Sequence, residues 1–499
     1  MSNDNFYKNS LLLTLSNLST GILKFVFSII LSKKLGAEGV GLYSLIMPIY
    51  DLFCCLLCGG MITAISKEAS FYYNKNDYSN LNKTIHITII FDLIWSIFIA
   101  LLFFILAPFI SNVIIKDSRT LYSLWAISPA LVFVAISSIY KGYFFGTNNI
   151  KAPAIIDIFE KTIRVVVIIS LINLLSLKSI TTTVTATYIA LSCGELISLT
   201  LLYIFYKSNK KKFHKNLKSE SSPQLLFNVL AISLPLAING FLTTGISTIS
   251  TLLIPRRLVA AGIEYTKALG LIGKFSGMAL TIVFFPMILI VSMSILLVPD
   301  ISNSLTNKNY YKLEKRIKEI INISVLLGIT SMLLCMCIPT ELGRLFYSRS
   351  DLGNYIKFVS YSAPFTYLMT STYSILNGMG KQKAVLINSI ISAILELILF
   401  YILIGIPSIN VYGYGITLII TSLVGLILNL LEIKKICSIK IYFSTIIIGS
   451  FLTILMHYIL KIFNSIIPSS LFLFKNLIII FVAFILFYFS ITILNKAEE

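Results

Sequence analysis

The chain has 499 residues, 57% of them hydrophobic and 12% charged, with a mean hydropathy of +0.90. Its apolar content is enough for about 14 spans of roughly 20 residues each, and its charge is about half that of soluble domains, which excludes soluble, disordered, collagenous and disulfide-scaffold classes. Lys and Arg outnumber Asp and Glu by 40 to 21, an excess that in a membrane protein points to anionic membrane lipids and not to nucleic acid.

In chain order, apolar stretches predict spans at 11–32, 41–65, 85–110, 120–142, 153–177 and 184–206, then at 226–254, 268–299, 319–339, 355–377, 384–405 and 411–433, and last at 441–463 and 472–494. The first run is too long for a signal-peptide core and no small-residue cleavage site follows it, so it is expected to stay as a span. The fold class is therefore all-α and polytopic. With the N-terminus inside, 23 Lys and Arg fall on the inner side and 13 on the outer. Both termini are then cytoplasmic in a cell membrane, by the positive-inside rule. Lys207, Lys210, Lys211, Lys212, Lys215 and Lys218 give the strongest single vote.

The chain repeats itself. Ser32-Lys33-Lys34-Leu35-Gly36-Ala37-Glu38-Gly39-Val40 follows the first span, and Pro255-Arg256-Arg257-Leu258-Val259-Ala260-Ala261-Gly262-Ile263 follows the seventh. Gly146 and Gly378 each close a later span, 232 residues apart. Six spans separate the copies, an even number, so the repeat is parallel. This predicts a six-helix lobe at 1–206, a basic cytoplasmic linker at 207–223, a second six-helix lobe at 224–440 and two further helices at 441–499. Paired lobes of this kind suit alternating access.

Ionisable residues inside spans are costly and are candidate functional sites. Lys24 lies mid-span, roughly 20 Å along the first helix, and is expected to face an internal cavity. Lys274 either joins it or snorkels to the outer interface. Both cations suit an anionic phosphate or pyrophosphate group. Asp157, Glu160, Lys161 and Arg164 share one face of the fifth span at i, i+3, i+4 and i+7. Asp157 is expected to pair with Lys161, and Glu160 with Arg164, as a wet cavity face or as a structural salt-bridge ladder. Among the scattered acids Asp51, Asp92, Glu195 and Glu396, the coupling-ion candidates are Glu195, Glu396 and Asp51. Lys33, Lys34, Arg256 and Arg257 either hold a head group at the exit mouth or cap helix C-termini. Pro48, Pro129, Pro235, Pro286 and Pro364 mark expected bends. The seven cysteines read as packing residues. No phosphate-binding G-x-x-x-x-G-K-[ST] loop and no clustered histidines exist, so neither an enzyme nor a cofactor or metal is expected.

The run Leu35-Gly36-Ala37-Glu38-Gly39-Val40-Gly41-Leu42-Tyr43 precedes Ile65-Ser66-Lys67-Glu68 and Lys141-Gly142-Tyr143-Phe144-Phe145-Gly146. Pro255-Arg256-Arg257-Leu258, Gly277-Met278-Ala279 and Leu297-Val298-Pro299-Asp300-Ile301-Ser302 come later. In this order they resemble the stage V sporulation protein B family, in the polysaccharide exporter branch of the multidrug/oligosaccharidyl-lipid/polysaccharide flippase superfamily. The resemblance covers essentially the whole chain. It implies a flippase-type fold and movement of a lipid-linked anionic oligosaccharide, lipid II or a similar undecaprenyl-pyrophosphate sugar, for spore cortex peptidoglycan. It also implies that Glu160 and Arg164 match an acid and an arginine frequent in the fifth helix. Gly21 and Ser28 stand where relatives tend to carry arginines, with Lys24 one turn from each. The alternatives are a drug/cation antiporter of the same superfamily, and a non-transporting partner that recruits cell-wall synthases.

Overall fold

The computed structural model describes residues 3–174, 179–209, 220–437 and 443–498. These residues are helical, with no strand among them. Lys210, Lys211, Lys212, Lys215 and Lys218 of the basic linker lie outside the described residues.

Seven helices open the chain. They are α1 (Asn3–Cys58), α2 (Met61–Asn74), α3 (Tyr78–Phe109), α4 (Leu121–Gly146), α5 (Lys151–Leu174), α6 (Ile180–Asn209) and α7 (Ser222–Ala260). Next come α8 (Tyr265–Ile272), a π-helical stretch at Gly273–Ala279, α9 (Leu280–Phe284), α10 (Met287–Thr306) and α11 (Tyr310–Cys337). The last are α12 (Pro339–Tyr347), α13 (Gly353–Ser360), α14 (Ala363–Gly378), α15 (Gln382–Leu403), α16 (Tyr412–Lys434), α17 (Phe443–Ile466) and α18 (Phe472–Glu498). Among the described residues, eleven helical stretches are long and apolar enough to cross a membrane. One of them, Leu12–Asn74, contains two passes joined at Gly36. Two more passes, α5 and α13–α14, stand apart for physical reasons: α5 carries four charges at its middle, and α13–α14 is interrupted at Tyr361 and Ser362.

Glycine, more than proline, decides where helices break. The chain stays helical through Pro48 and Pro129. It breaks at Gly36, at Gly59-Gly60 and at Phe285-Pro286. The second pass continues beyond the expected residue 65 to Asn74, and the eighth runs to Thr306. Hydropathy ends earlier because polar side chains begin while the helix continues.

The chain divides into two compact units, residues 1–27 with 42–252 and residues 28–41 with 253–499. The division falls inside α1 and α7, because most of α7, as far as Leu252, belongs to the first unit. Leu225 and Val229 of α7 are buried there with Ile65, Tyr72, Ile85, Tyr143 and Phe144. In the second unit, residues 28–41 lie against α8 and the π-helical stretch. A Cβ on Gly273 would sit 1.9 Å from the carbonyl oxygen of Ala37, and one on Gly41 would sit 2.1 Å from that of Leu269. Only glycine lets two backbones approach this closely. Ser28 Oγ donates to the Gly277 carbonyl at 3.3 Å.

The internal repeat is written in the backbone. Non-glycine residues with left-handed φ are rare, yet three such positions recur 232 residues on: Asn76 with Lys308, Lys116 with Ser348, and Asn148 with Gly380. The helix caps repeat too, since Asp77 accepts from the Asn80 backbone and Asn309 from that of Lys312. Five core positions of the first unit, Ala69, Leu81, Ile85, Tyr143 and Phe144, match Ile301, Leu313, Ile317, Ile375 and Leu376 of the second. Before α10 the spacing is 226, as Gly36 and Gly262 and the two helix breaks show. This corrects the pairing of Ser32–Val40 with Pro255–Ile263, which is three residues out of step. The difference of six residues matches the lengths of α2 and α10, 14 and 20 residues.

Candidate functional site

The charged face of α5 is the centre of the first unit's polar chemistry. Arg164 Nη2 donates to Glu160 Oε1 at 2.6 Å and to Glu195 Oε1 of α6 at 3.0 Å. Lys161 pairs with the second oxygen of Glu160. Gly194 makes room for this arrangement, because a Cβ there would stand 3.2 Å from Glu160 Oε1. Glu160 is buried, with 3% of its side chain exposed, and Arg164 shows 14%. Carboxylates this deep persist when paired and hydrogen-bonded. The buried Arg164 Nε has no hydrogen-bond partner.

The expected Glu160–Arg164 pair forms, but the expected Asp157–Lys161 pair does not. Asp157 is instead bound by Lys141 of α4 at 2.7 Å, which leaves Lys161 to Glu160. Lys141 and Gly194 were not legible as site residues. Lys141 sits where a span ends, and no local spacing ties a residue on α4 to one on α5. The network holds three cations and three carboxylates, so it is neutral as a whole. Beside it, Tyr43 and Tyr188 stack with centroids 5.1 Å apart, and the Tyr188 hydroxyl donates to the Tyr43 carbonyl at 2.8 Å. Arg164 and Asp51 both lie within electrostatic reach of Tyr43. Lys24 is exposed on α1 and acts electrostatically on Asp51, which is exposed further along the same helix.

The remaining candidates belong to the second unit. Lys274 pairs with Asp351 at 2.8 Å, and Arg349 grips the same carboxylate through Nε at 2.9 Å and Nη2 at 2.7 Å. Lys274 is therefore an ion-paired residue of the second unit and is not part of the α5 network. Asp351 lies in the turn between α12 and α13, where the hydrogen bonds from Arg349, with Lys274 adding, hold its carboxyl well below the usual carboxylate range. A depressed folded-state value stabilises the protein above the ordinary carboxylate range, and that stabilisation is lost as pH falls through the folded value. Asp351→Asn is accordingly expected to lower the melting temperature slightly at neutral pH, with the gap to wild type closing in strong acid and shrinking in high salt. A gap that persists in strong acid would assign the loss to something other than this charge.

Glu396 is half-buried on α15, within electrostatic reach of Tyr414 on α16. Lys33 and Lys34 are exposed, and Arg256 and Arg257 close α7. The Arg257 guanidinium lies 4.1 Å from the Tyr401 ring centre and against Gly405. The cysteines are free, and Cys55 Sγ lies 3.2 Å from Thr244 Oγ1.

Comparison with known proteins gives this geometry a setting. The polysaccharide biosynthesis protein family matches residues 6–305, and the MatE family matches residues 235–402. The chain is 25% identical to Stage V sporulation protein B of Bacillus subtilis (strain 168) over 446 residues, which is 88% of this chain and 86% of that one. It is 23% identical to Lipid II flippase MurJ of the same organism, over 79% of this chain and 76% of that one. A solved structure of lipid II flippase MurJ in an inward closed conformation superposes with a TM-score of 0.71 at 16% identity, covering 95% of this chain and 98% of that one. An inward-facing multidrug resistance MATE family transporter gives 0.65 at 15% identity, covering 85% and 95%. The chain is thus a multi-pass membrane protein that belongs to the polysaccharide biosynthesis protein family, with the fold of the flippases and transporters of the multidrug/oligosaccharidyl-lipid/polysaccharide superfamily.

Proposed function

We propose that this protein flips a lipid-linked anionic oligosaccharide, lipid II or a similar undecaprenyl-pyrophosphate sugar, from the inner to the outer face of the cell membrane by alternating access. Both termini are then cytoplasmic. The observation that carries the reading is the state of Arg164. One nitrogen, Nη2, makes both of its carboxylate bonds, and the buried Nε is left without a partner. A buried guanidinium whose Nε–H has no partner gains an in-plane hydrogen bond when a phosphate oxygen reaches it. Lys24, exposed on the same unit, supplies a second cation for a pyrophosphate. Glu195 is the acid that an arriving phosphate displaces from Arg164, because its bond is the longer of the two. The likeness to a lipid II flippase and to a sporulation protein supports the lipid-linked substrate and a role in spore cortex peptidoglycan.

The antiporter reading needs a carboxylate open to cations. Glu195 is engaged by Arg164, which disfavours it, and Asp51 and Glu396 are the acids left to test. The recruiting-partner reading rests on the basic linker and cell-wall synthases, and it makes the α5 network dispensable. A fluorescent undecaprenyl-pyrophosphate glycolipid in proteoliposomes separates the three. Wild type should flip it under a membrane potential, and Lys24→Ala should slow it roughly tenfold, the worth of one charge-assisted hydrogen bond. Well-folded wild type that moves a cationic dye but not the glycolipid points to the antiporter. Wild type that moves neither points to the partner.

A further inference from the structure

Asp92 is on α3, in the first unit, and its side chain is fully buried. Neither of its carboxyl oxygens has a hydrogen-bond partner. Other buried acids of this unit are satisfied: Glu160 by Arg164 and Lys161, Asp117 by Arg119, and Asp77 by Asn80. Asp92 lines a cavity of about 280 Å³ bounded by Leu57, Gly59, Trp95, Ser233 and Phe241. The cavity lies at the break between α1 and α2, on which α7 is seated. A Cβ on Gly59 would stand 2.6 Å from Ala237 Cα, and one on Gly60 would stand 2.4 Å from Leu236 Cβ.

An unpaired carboxylate in an apolar cavity is unfavourable, so the group must carry something positive or be neutral. A metal cation needs several oxygen ligands. Besides Asp92, the side chains around the cavity provide one, the Ser233 hydroxyl. A proton needs none. The Cys58 thiol of α1 lies within electrostatic reach of Asp92. No charged side chain of α2, α4 or α7 acts on it.

We propose that Asp92 is a reversible proton-binding site whose ionisation admits water to the seam between α3 and α7. The neutral acid fits the apolar cavity with α7 seated on Gly59 and Gly60. When the proton leaves to water, the carboxylate requires hydration, and the cavity has the volume for several waters. Water entering there loosens the seat of α7. This ties the position of a helix shared between the two units to a proton, and it does not depend on what is transported.

The test uses the full-length protein in lipid nanodiscs and no substrate. Trp95 and Trp125 are the only tryptophans, so Trp125→Phe leaves Trp95 as a reporter in the cavity wall. Infrared difference spectra should show a protonated-carboxyl band at neutral pH that Asp92→Asn removes. Raising the pH should red-shift Trp95 emission in a single one-proton transition. Asp92→Asn should stay blue at every pH, Asp92→Glu should move the transition, and Cys58→Ser should retain it. The proposal is overturned if Asp92→Asn and its parent titrate alike, or if no carboxyl band depends on residue 92. Should Asp92→Asn fail to fold, an unmoved transition in Asp92→Glu overturns it equally. Flipping is not read in this experiment, so its outcome is separate from that of the substrate assignment.

Discussion

Arg164→Ala should both unfold the protein more easily and abolish flipping. Removing one partner of a buried ion pair leaves a charge without compensation and costs about 3–5 kcal/mol. Here Lys161 still faces Glu160, so the low end of that range applies. Thermal unfolding in detergent measures the first effect and glycolipid movement the second. Arg164→Lys separates them. It keeps the positive charge, hence most of the stability, but it lacks the planar fork and the Nε–H. Flipping should therefore fall at least tenfold, the equivalent of roughly 1.4 kcal/mol, while the melting temperature stays near wild type. Wild-type flipping by Arg164→Lys would show that any cation suffices there, and the role of the free Nε would be withdrawn.

Gly273→Ala should be among the most damaging small substitutions in the second unit. The added carbon would meet a backbone oxygen at 1.9 Å, and a backbone cannot rotate aside as a side chain can. Overpacking costs about 1–3 kcal/mol where side chains yield, so a loss at or above the top of that range is expected. Gly41→Ala strikes the same seam from the other side, at 2.1 Å from Leu269. Once one substitution has parted the seam the second has less to disturb, so the double variant should lose clearly less than the two single losses combined. Gly270→Ala is the control. It lies in α8 with nothing within 4 Å of its Cβ position, and helix propensity alone should make it about 0.5–1 kcal/mol more stable. Equal melting temperatures for Gly273→Ala and Gly270→Ala would refute the close approach of residues 28–41.

The passes were legible because a bilayer imposes length and apolarity on each one, and that signal survives any packing. The pass at α5 was legible too, expected at 153–177 and found at Lys151–Leu174, although its charges interrupt the apolar run. Glu160–Arg164 was readable because i, i+4 spacing on a helix is a spatial statement. Asp157–Lys141 was not, since its partner comes from another helix. Lys161 turns to Glu160 because Lys141 of α4 takes Asp157, which spacing on α5 cannot show. Asp92 was visible as an acid in an apolar run, yet only packing reveals that nothing answers it. The positions of Gly36 and Gly262 follow from the one property that sequence similarity weighs least, a backbone angle.

The six residues by which α10 exceeds α2 also bear on how one half maps onto the other. The two halves differ here by six residues. Six added residues turn a helix through about 600° and lengthen it by about 9 Å, which would point every later side chain away from its old partners. They did not lose them. Gly146 packs on the Ser66 carbonyl and Gly378 on that of Val298, again 232 apart. The six-residue difference is therefore confined between the break at Pro286 and Val298, and the break is the joint at which the offset changes. A mutation found in one half can be transferred to the other by adding 226 before that joint and 232 after it, and a uniform shift would move it to the wrong face of the helix.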